Sequence, residues 1–167
     1  MTVIASGNPS INVCPSCASS FESIAPAPVD TNTKKCVVVV DADLALGSLV
    51  NTAAVLGVSL GKLRSEMVGR DLPDSSGFVH HGITTMPIPV LKADAAFLKG
   101  LRLRLKELEP ELLVIDVISA TRTTRSYDEY ASVLEANPED QVEYFGLALY
   151  GDKKTVARFT GGLALLR

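Results

Sequence analysis

Continuous apolar runs alternate along the chain with segments of helical periodicity. Residues 36–40 read CVVVV, an unbroken run typical of a strand that is covered on both faces. Apolar runs at 112–116 and 142–150 predict a second and a third strand. Strands that alternate with helices are typical of a sheet covered by helices on both sides. The pattern therefore predicts an α/β fold, a three-layer α/β/α domain with a mixed, mainly parallel sheet of four to five strands.

Four helices are predicted between and after these strands. Gly47 and Ser48 are expected to open the first, with Ser48 as N-cap, and Gly57 and Gly61 to break it. A second helix is predicted over 93–109, before Pro110. The third should begin at the capping box formed by residues 126–129, SYDE, and a short fourth helix should follow residues 151–152, GD.

Residues 67–93 lack helical periodicity. The DSSG segment at 74–77 predicts a turn between short extended pieces. Residues 86–90, MPIPV, alternate with period two, but prolines cannot donate ladder hydrogen bonds. An edge strand or an extended strap is therefore expected there.

The N-terminal residues 1–33 are rich in Ser, Pro, Asn, Thr and Ala, which predicts a flexible arm ahead of a domain at 34–167. Cys14 and Cys17 lie in this arm as CPSC. They supply two of the four ligands that structural zinc requires, so an inert dithiol and a metal or redox role both stay open. Cys36 opens the apolar run and is expected to be a buried thiol.

The net charge of −3 argues against binding to nucleic acid through its phosphates. The first ten residues lack the basic start and apolar stretch of a signal peptide, and no apolar run of about 20 residues suggests a membrane span. The cytoplasm is the expected location. A homodimer through an exposed edge or helix is also expected.

Acidic residues follow two of the predicted strands. Asp41 and Asp43 come after the first, and Asp116 closes the second. In open α/β sheets ligands bind beyond the carboxyl ends of the strands, so carboxylates of neighbouring strands would share a rim suited to acid–base chemistry. The alternative is that Asp41 and Asp43 accept backbone N–H groups within their loop.

The start of the first helix lies near that rim. Free N–H groups around Gly47 and Ser48 would favour an anion or a developing oxyanion. Asn51, an amide among apolar positions, is expected to have a partner, either the backbone or a ligand.

Two further groups carry candidate chemistry. His80 and His81 are adjacent, so in an extended segment they point to opposite faces and cannot readily chelate one metal; a general base or a structural role remains for either. Thr121, Arg122 and Arg125 lie in a polar loop after the Asp116 strand, where they would bind a carboxylate or phosphate. Nucleotide-binding glycine motifs are not recognisable, and apart from the open alternative at Cys14 and Cys17 neither a metal nor a cofactor is expected.

Several segments recur together in a known family. The segments KKCVVVVDADL, GSLVNTAA, DSSGFVHHGI, PIPVL, GLALYGD and FTGGLALL resemble the bacterial family domain of unknown function 2000, over residues 34–167. That family is similar in fold to type II peptidyl-tRNA hydrolases, and this resemblance implies their fold. Ser48 stands where those enzymes have a lysine, and their glutamine has its nearest counterpart in Asn51.

Three functions are compatible with these residues. The first is a hydrolase or transferase acting on an amide or ester of a small substrate, with Asp43, Ser48, Asn51, His80 and His81 as catalytic candidates. Its binding residues would be Asp41, Gly47, Asp116, Thr121, Arg122 and Arg125. The second is a non-catalytic module that binds a small molecule or a protein. Peptidyl-tRNA hydrolysis ranks third, because it requires six basic residues, Arg102, Arg104, Arg122, Arg125, Lys153 and Arg158, to gather on one face.

Overall fold

The structure is a computed structural model that describes residues 29–167. Within that range the chain forms β1 (Lys34–Asp41), α1 (Leu46–Leu63), β2 (Leu72–Pro73), β3 (Val79–His80), β4 (Val90–Ala93), α2 (Ala95–Leu105), β5 (Leu113–Ile118), α3 (Tyr127–Ala136), β6 (Tyr144–Asp152) and α4 (Lys153–Thr160).

The main sheet has four strands in the order β4-β1-β6-β5. Strands β1 and β4 are parallel, whereas β6 lies between β1 and β5 and is antiparallel to both. The sheet is mixed, but the prediction of a mainly parallel sheet was wrong. Because β5 and β6 are antiparallel neighbours, the connection between them begins and returns at the same end of the strands and does not cross the sheet. Helix α3, within that connection, therefore lies beside β5.

Strand β1 lies inside the sheet, as its composition predicts. Val37, Val38, Val39 and Val40 are at most 1% exposed. Alternate side chains enter two separate cores, Val37 and Val39 on the α2 and α4 side and Cys36, Val38 and Val40 on the α1 side. The predicted three layers are therefore present, with the sheet in the middle.

Helix α1 differs from its predicted form at both ends. It begins after Ala45 without a side-chain cap, so Ser48 is already inside the helix and is not the N-cap. Gly57 and Gly61 do not break it, and it continues to Leu63. Burial of Leu49, Leu56 and Leu60 against the sheet outweighs the cost of about 1 kcal/mol that each glycine imposes on a helix.

By length and composition alone α1 is long and apolar enough to cross a membrane, although the sequence pattern predicted no membrane span. In the fold one side of α1 packs on β5, β6 and β1 through Leu49, Thr52, Leu56 and Leu60, and 22% of its residues are buried.

Helices α3 and α4 have the capping residues that their sequences predict. Ser126 accepts a hydrogen bond from the Glu129 N–H at 3.2 Å, and Asp152 accepts one from the Thr155 N–H at 2.8 Å. Asp94 caps α2 in the same way through Phe97. Strand β4 is the sheet edge expected near residues 86–90, with a strap before it.

The chain segment ahead of β1 is described from Val29 onward. Residues 30–33 form a turn, and the Thr33 carbonyl accepts a hydrogen bond from the Lys153 N–H at 2.8 Å. The last residues of the predicted N-terminal arm thus contact the domain. The rest of the predicted arm, with Cys14 and Cys17, lies outside the described residues.

Candidate functional site

A groove of about 500 Å³ follows the outer edge of β5. Helix α1 forms one wall, and the other comprises the segment after β5 and the first turn of α3. We call it the β5 groove, and its lining residues are Asn51, Val55, Ser59, Ile115, Asp116, Val117, Thr121, Thr124, Arg125, Ser126, Tyr127 and Tyr130. Strand β5 has a partner on one side only, so its other edge faces the groove.

Hydroxyl groups on the loop side of the groove are held by the backbone. The Thr121 hydroxyl donates to the Ile118 carbonyl at 3.0 Å, and the Thr124 hydroxyl donates to the Ala120 carbonyl at 2.8 Å. These bonds tighten the 3-10 turn at Ser119–Arg122. Ser126 is occupied as the N-cap of α3 but keeps its own proton available. The loop wall is therefore preorganised.

The two charged side chains of the groove, Arg125 and Asp116, have different environments. The Arg125 guanidinium forms no ion pair within residues 29–167, and its backbone N–H donates to the Glu129 carboxylate at 2.7 Å. Asp116, by contrast, accepts a hydrogen bond from Arg102 Nε at 2.9 Å. Burial opposes the charged form of Arg102, but Asp116 and then Glu109 outweigh it and raise the pKa of Arg102.

Tyr130 lines the groove beside Asp116. Burial is the main cause that raises the pKa of its phenol, and the negative charge of Asp116 adds to it. The hydroxyl therefore keeps its proton at neutral pH and is a hydrogen-bond donor to the groove. Tyr127, in the same turn of α3, contacts it with ring centroids 6.0 Å apart.

Four of the residues predicted from sequence come together in this groove: Asn51, Asp116, Thr121 and Arg125. Asn51 is exposed, so it has no buried partner, and Thr52 is the polar residue that α1 buries. The Thr52 hydroxyl donates to the Ser48 carbonyl at 2.8 Å. The amide of Asn51 is thus directed to the groove side of the helix.

The shared rim of carboxylates does not form. Asp116 pairs with Leu147 and is followed by two more strand residues, so it does not end its strand. Strand β6 separates it from β1. Asp41 is buried and accepts the Asp43 N–H at 3.1 Å, as the loop alternative predicted, while Asp43 is exposed.

The remaining predicted residues lie elsewhere. Gly47 and Ser48 belong to the first turn of α1 but do not line the groove. Both histidines are exposed on the hairpin formed by β2 and β3, where His80 lies 3.5 Å from Asp74 and His81 lies 3.0 Å from Asp71. They are not placed as bases for the groove.

Arg122 lines a different pocket of about 450 Å³ between α3 and the start of β6. Its guanidinium carbon lies 5.9 Å from the ring centroid of Phe145. Arg122 and Arg125 therefore point to different sites, although they lie three residues apart.

Sequence reasoning missed four kinds of groove residue, namely Val55 and Ser59 of α1, the strand residues Ile115 and Val117, Thr124 with Ser126 of the loop, and the tyrosines Tyr127 and Tyr130. A signal for α1 exists, since Asn51, Val55 and Ser59 recur at i, i+4 and i+8 on one helical face. The expected break at Gly57 concealed it, because a break there removes Ser59 from that face.

Comparison with known proteins bears on this arrangement. The family model described as "Protein of unknown function (DUF2000)" matches residues 34–167. The chain belongs to this family. The match runs from the start of β1 to the last residue of the chain.

A solved structure shares the fold. It is a protein of unknown function, Atu0240, from Agrobacterium tumefaciens strain C58, which is 25% identical with a TM-score of 0.74. The alignment covers 80% of this chain and 98% of that one. No protein of curated function matches the chain. Neither comparison indicates a catalytic function.

Groups of three or more His, Cys, Asp or Glu side chains able to hold a metal ion are not found among the described residues.

Proposed function

We propose that the protein is a ligand-binding domain whose β5 groove holds a small molecule with a carboxylate on an apolar body. The observation that carries this proposal is the position of Arg125. Its guanidinium has no acidic partner within residues 29–167, and it lines the same groove as Asn51, Ser59 and Tyr130. A planar guanidinium matches a carboxylate in a bidentate geometry.

The rest of the groove supports a small ligand. Its volume lies within the range of about 300–1,000 Å³ that is usual for small-molecule sites. Val55, Ile115 and Val117 provide apolar contact, while Asn51 can both donate and accept hydrogen bonds. An N-acylated amino acid has the required carboxylate, amide and apolar side chain in one compact molecule.

The hydroxyl groups of the groove favour binding over nucleophilic catalysis. An activated hydroxyl needs a base within about 2.6–3.2 Å. The hydroxyl protons of Thr121 and Thr124 are donated to backbone carbonyls, which are not bases, and both histidines lie on the β2–β3 hairpin. Asp116 is already engaged in an ion pair with Arg102.

Hydrolysis or transfer at an amide or ester is the second candidate function. Asp116, Thr121 and Asn51 meet in one groove, which favours it, and the resemblance to type II peptidyl-tRNA hydrolases supports it. We propose that the four-stranded sheet with its two covered faces is a variant of the fold of those enzymes. In a catalytic cycle Asp116 would have to exchange Arg102 for a water molecule.

Peptidyl-tRNA hydrolysis has less support. The Lys153 ammonium donates to the Thr31 carbonyl beyond the end of β6, whereas Arg122 stacks on Phe145 near its start. The Arg102 guanidinium already forms ion pairs with Asp116 and Glu109, so it is not free to bind a phosphate. These basic residues do not form the single face that a phosphate backbone requires. We expect the protein to act in the cytoplasm, whose reducing conditions suit the free thiol of Cys36.

Calorimetric titration with N-acetyl-leucine tests the proposal, with N-acetyl-leucine amide as the probe without a carboxylate. We expect the acid to bind, and we expect the affinity of the amide to be at least about tenfold lower. Arg125→Gln should abolish this preference, whereas Arg122→Gln, in the neighbouring pocket, should retain it. Equal binding of both probes by the natural protein would contradict the proposal, and release of leucine in the same samples would establish hydrolysis.

A further inference from the structure

Residues 68–85 form a hairpin. We call this hairpin the arm; it is distinct from the predicted N-terminal arm at residues 1–33. Its base is held by hydrogen bonds from the Gly69 N–H to the Ile83 carbonyl at 2.9 Å and from the Thr85 N–H to the Met67 carbonyl at 2.8 Å. Beyond the base, β2 and β3 pair, and Gly77 closes the turn with a φ of 83°. Residues 70–81 are nevertheless all exposed, so the arm has backbone order but buries none of these side chains.

The most exposed apolar side chains are concentrated in one stretch of sequence. Among the described residues, those more than half exposed are Leu46, Val50, Val58, Leu63, Leu72, Phe78, Val79, Ile83 and Tyr127. All of these except Tyr127 belong to α1 or the arm. Scattered exposed apolar residues are normal on a soluble protein, but a concentration of this kind marks an interaction surface.

The exposed side of α1 has the properties of a helix interface. Leu46, Val50 and Val58 lie on the side away from the sheet, and Gly57 and Gly61 have open space where a Cβ would be. No charged residue occurs from Leu46 to Gly61. A solvated helix face normally carries charges, whereas small residues beside apolar ones permit another backbone to approach closely.

We propose that this side of α1 and the arm together form the interface of a homodimer. Without Leu63, which follows Leu56 and Leu60 on the sheet side of the helix, seven side chains exposed by half or more present on the order of 800 Å² per chain, about what each partner contributes to a stable interface. A twofold dimer brings the same surface from both copies together, so the uncharged side of α1 meets no like charge when it packs on its own copy.

The charges of the arm also favour a second copy. Asp71 and Asp74 are paired with His81 and His80 of the same arm. The aspartate carboxylates also accept backbone N–H groups of the arm, from Gly82 and Phe78. Both carboxylates are therefore hydrogen-bonded within the arm, and the exposed Arg70 adds one positive charge to their two negative ones, so the arm combines a small net charge with a large apolar surface.

Sedimentation velocity of the full chain at about 10–100 µM tests this proposal. We expect a dimer, and we expect Val58→Glu and Phe78→Glu each to raise its dissociation constant at least about 30-fold, because each places a charge in a desolvated centre. Both positions are exposed, so the monomeric variants should stay folded by circular dichroism. Leu103→Glu, on the exposed side of α2, is the matched control and should remain dimeric.

Three results would overturn the proposal. The first is a folded natural chain that stays monomeric, including one that then cosediments with phosphatidylcholine–phosphatidylserine vesicles, which would assign the surface to a membrane. The second is dimerisation by both glutamate variants as tight as that of the natural chain. The third is a full chain that is monomeric but dimerises once residues 1–28 are deleted, because the surface would then be covered by the chain's own N-terminal segment.

Discussion

Arg102 and Asp116 join α2 to the edge strand β5, with Arg102 Nε 2.9 Å from Asp116 Oδ2. The same guanidinium donates from Nη1 to Glu109 at 2.6 Å. One cation is therefore shared by two carboxylates, of which Asp116 lines the groove, and both the stability of the domain and the charge of the groove depend on it.

Arg102→Met should lower the free energy of unfolding by about 2 kcal/mol, because it leaves two partly buried carboxylates without a cation. Urea denaturation measures this. Lys106→Met breaks the exposed ion pair with Glu139 on the same helical segment and should change stability little. Equal effects of the two substitutions would show that burial does not strengthen the Arg102 pairs.

Gly146 of β6 permits the close approach of α1 to the sheet. A Cβ at this position would lie 2.7 Å from Thr52 Cγ2 and 3.1 Å from the Val39 carbonyl oxygen. Gly146→Ala should therefore destabilise the domain by about 1–3 kcal/mol.

Gly100 provides the contrasting case. A Cβ there meets nothing within 4 Å, and the residue lies inside α2. Gly100→Ala should stabilise the protein by about 0.5–1 kcal/mol, since alanine loses less backbone entropy in a helix. Thermal unfolding of both variants should give shifts of opposite sign, and a stabilised Gly146→Ala would contradict the packing of α1 on β6.

Ser126 holds the first turn of α3 against the groove. Ser126→Ala should lower the free energy of unfolding by about 1 kcal/mol through loss of the N-cap. It should also weaken binding of N-acetyl-leucine, because Arg125, Tyr127 and Tyr130 are positioned by that turn. Ser132→Ala, whose hydroxyl donates to the Asp128 carbonyl in the exposed helix interior, should leave binding unchanged. Loss of binding in the Ser132 variant alone would be inconsistent with this role.

Burial raises the pKa of the Cys36 thiol from 9.0 to about 11, and the Val37 N–H opposes this only partly. A raised folded-state pKa gives stability that is complete below pH 9.0 and lost as the pH rises through about 11, since the unfolded thiol ionises first. Urea denaturation of the Cys14→Ser, Cys17→Ser variant should show this decline.

The same background with Cys36→Val has no thiol to ionise and is the matched control, so its stability should fall less over that range. In the folded Cys36 protein the thiol should also resist a disulfide reagent at about pH 8 until urea is added. A rapid reaction without urea would show that Cys36 is accessible.

Local patterns predicted the local features of this fold. The CVVVV run became an interior strand because five consecutive apolar residues suit a strand with two covered faces. The caps at Ser126 and Asp152 formed because their hydrogen bonds lie within four residues of sequence. Features of that range depend little on the rest of the chain.

The direction of β6 depends on the whole chain and escaped prediction. A strand of mostly apolar residues has the same sequence pattern whether its neighbours are parallel or antiparallel to it. The sequence of Tyr144–Asp152 therefore gave no signal of the direction of β6. The site was predicted only in part for the same reason, since four of the twelve residues that line the groove were recognised. Asn51, Thr121 and Arg125 were recognised by type, but their neighbourhood with the α3 tyrosines arises from a connection that stays at the edge of the sheet.

The position of β6 also constrains how the domain is made. It is the last strand in sequence, yet it separates β1 from β5 in space. During synthesis on a ribosome, β1 and β4 have no central partner, and β5 has none at all, until residues 144–152 emerge. The apolar strand β1 therefore stays accessible to aggregation and to chaperones until a segment more than a hundred residues later has been synthesised.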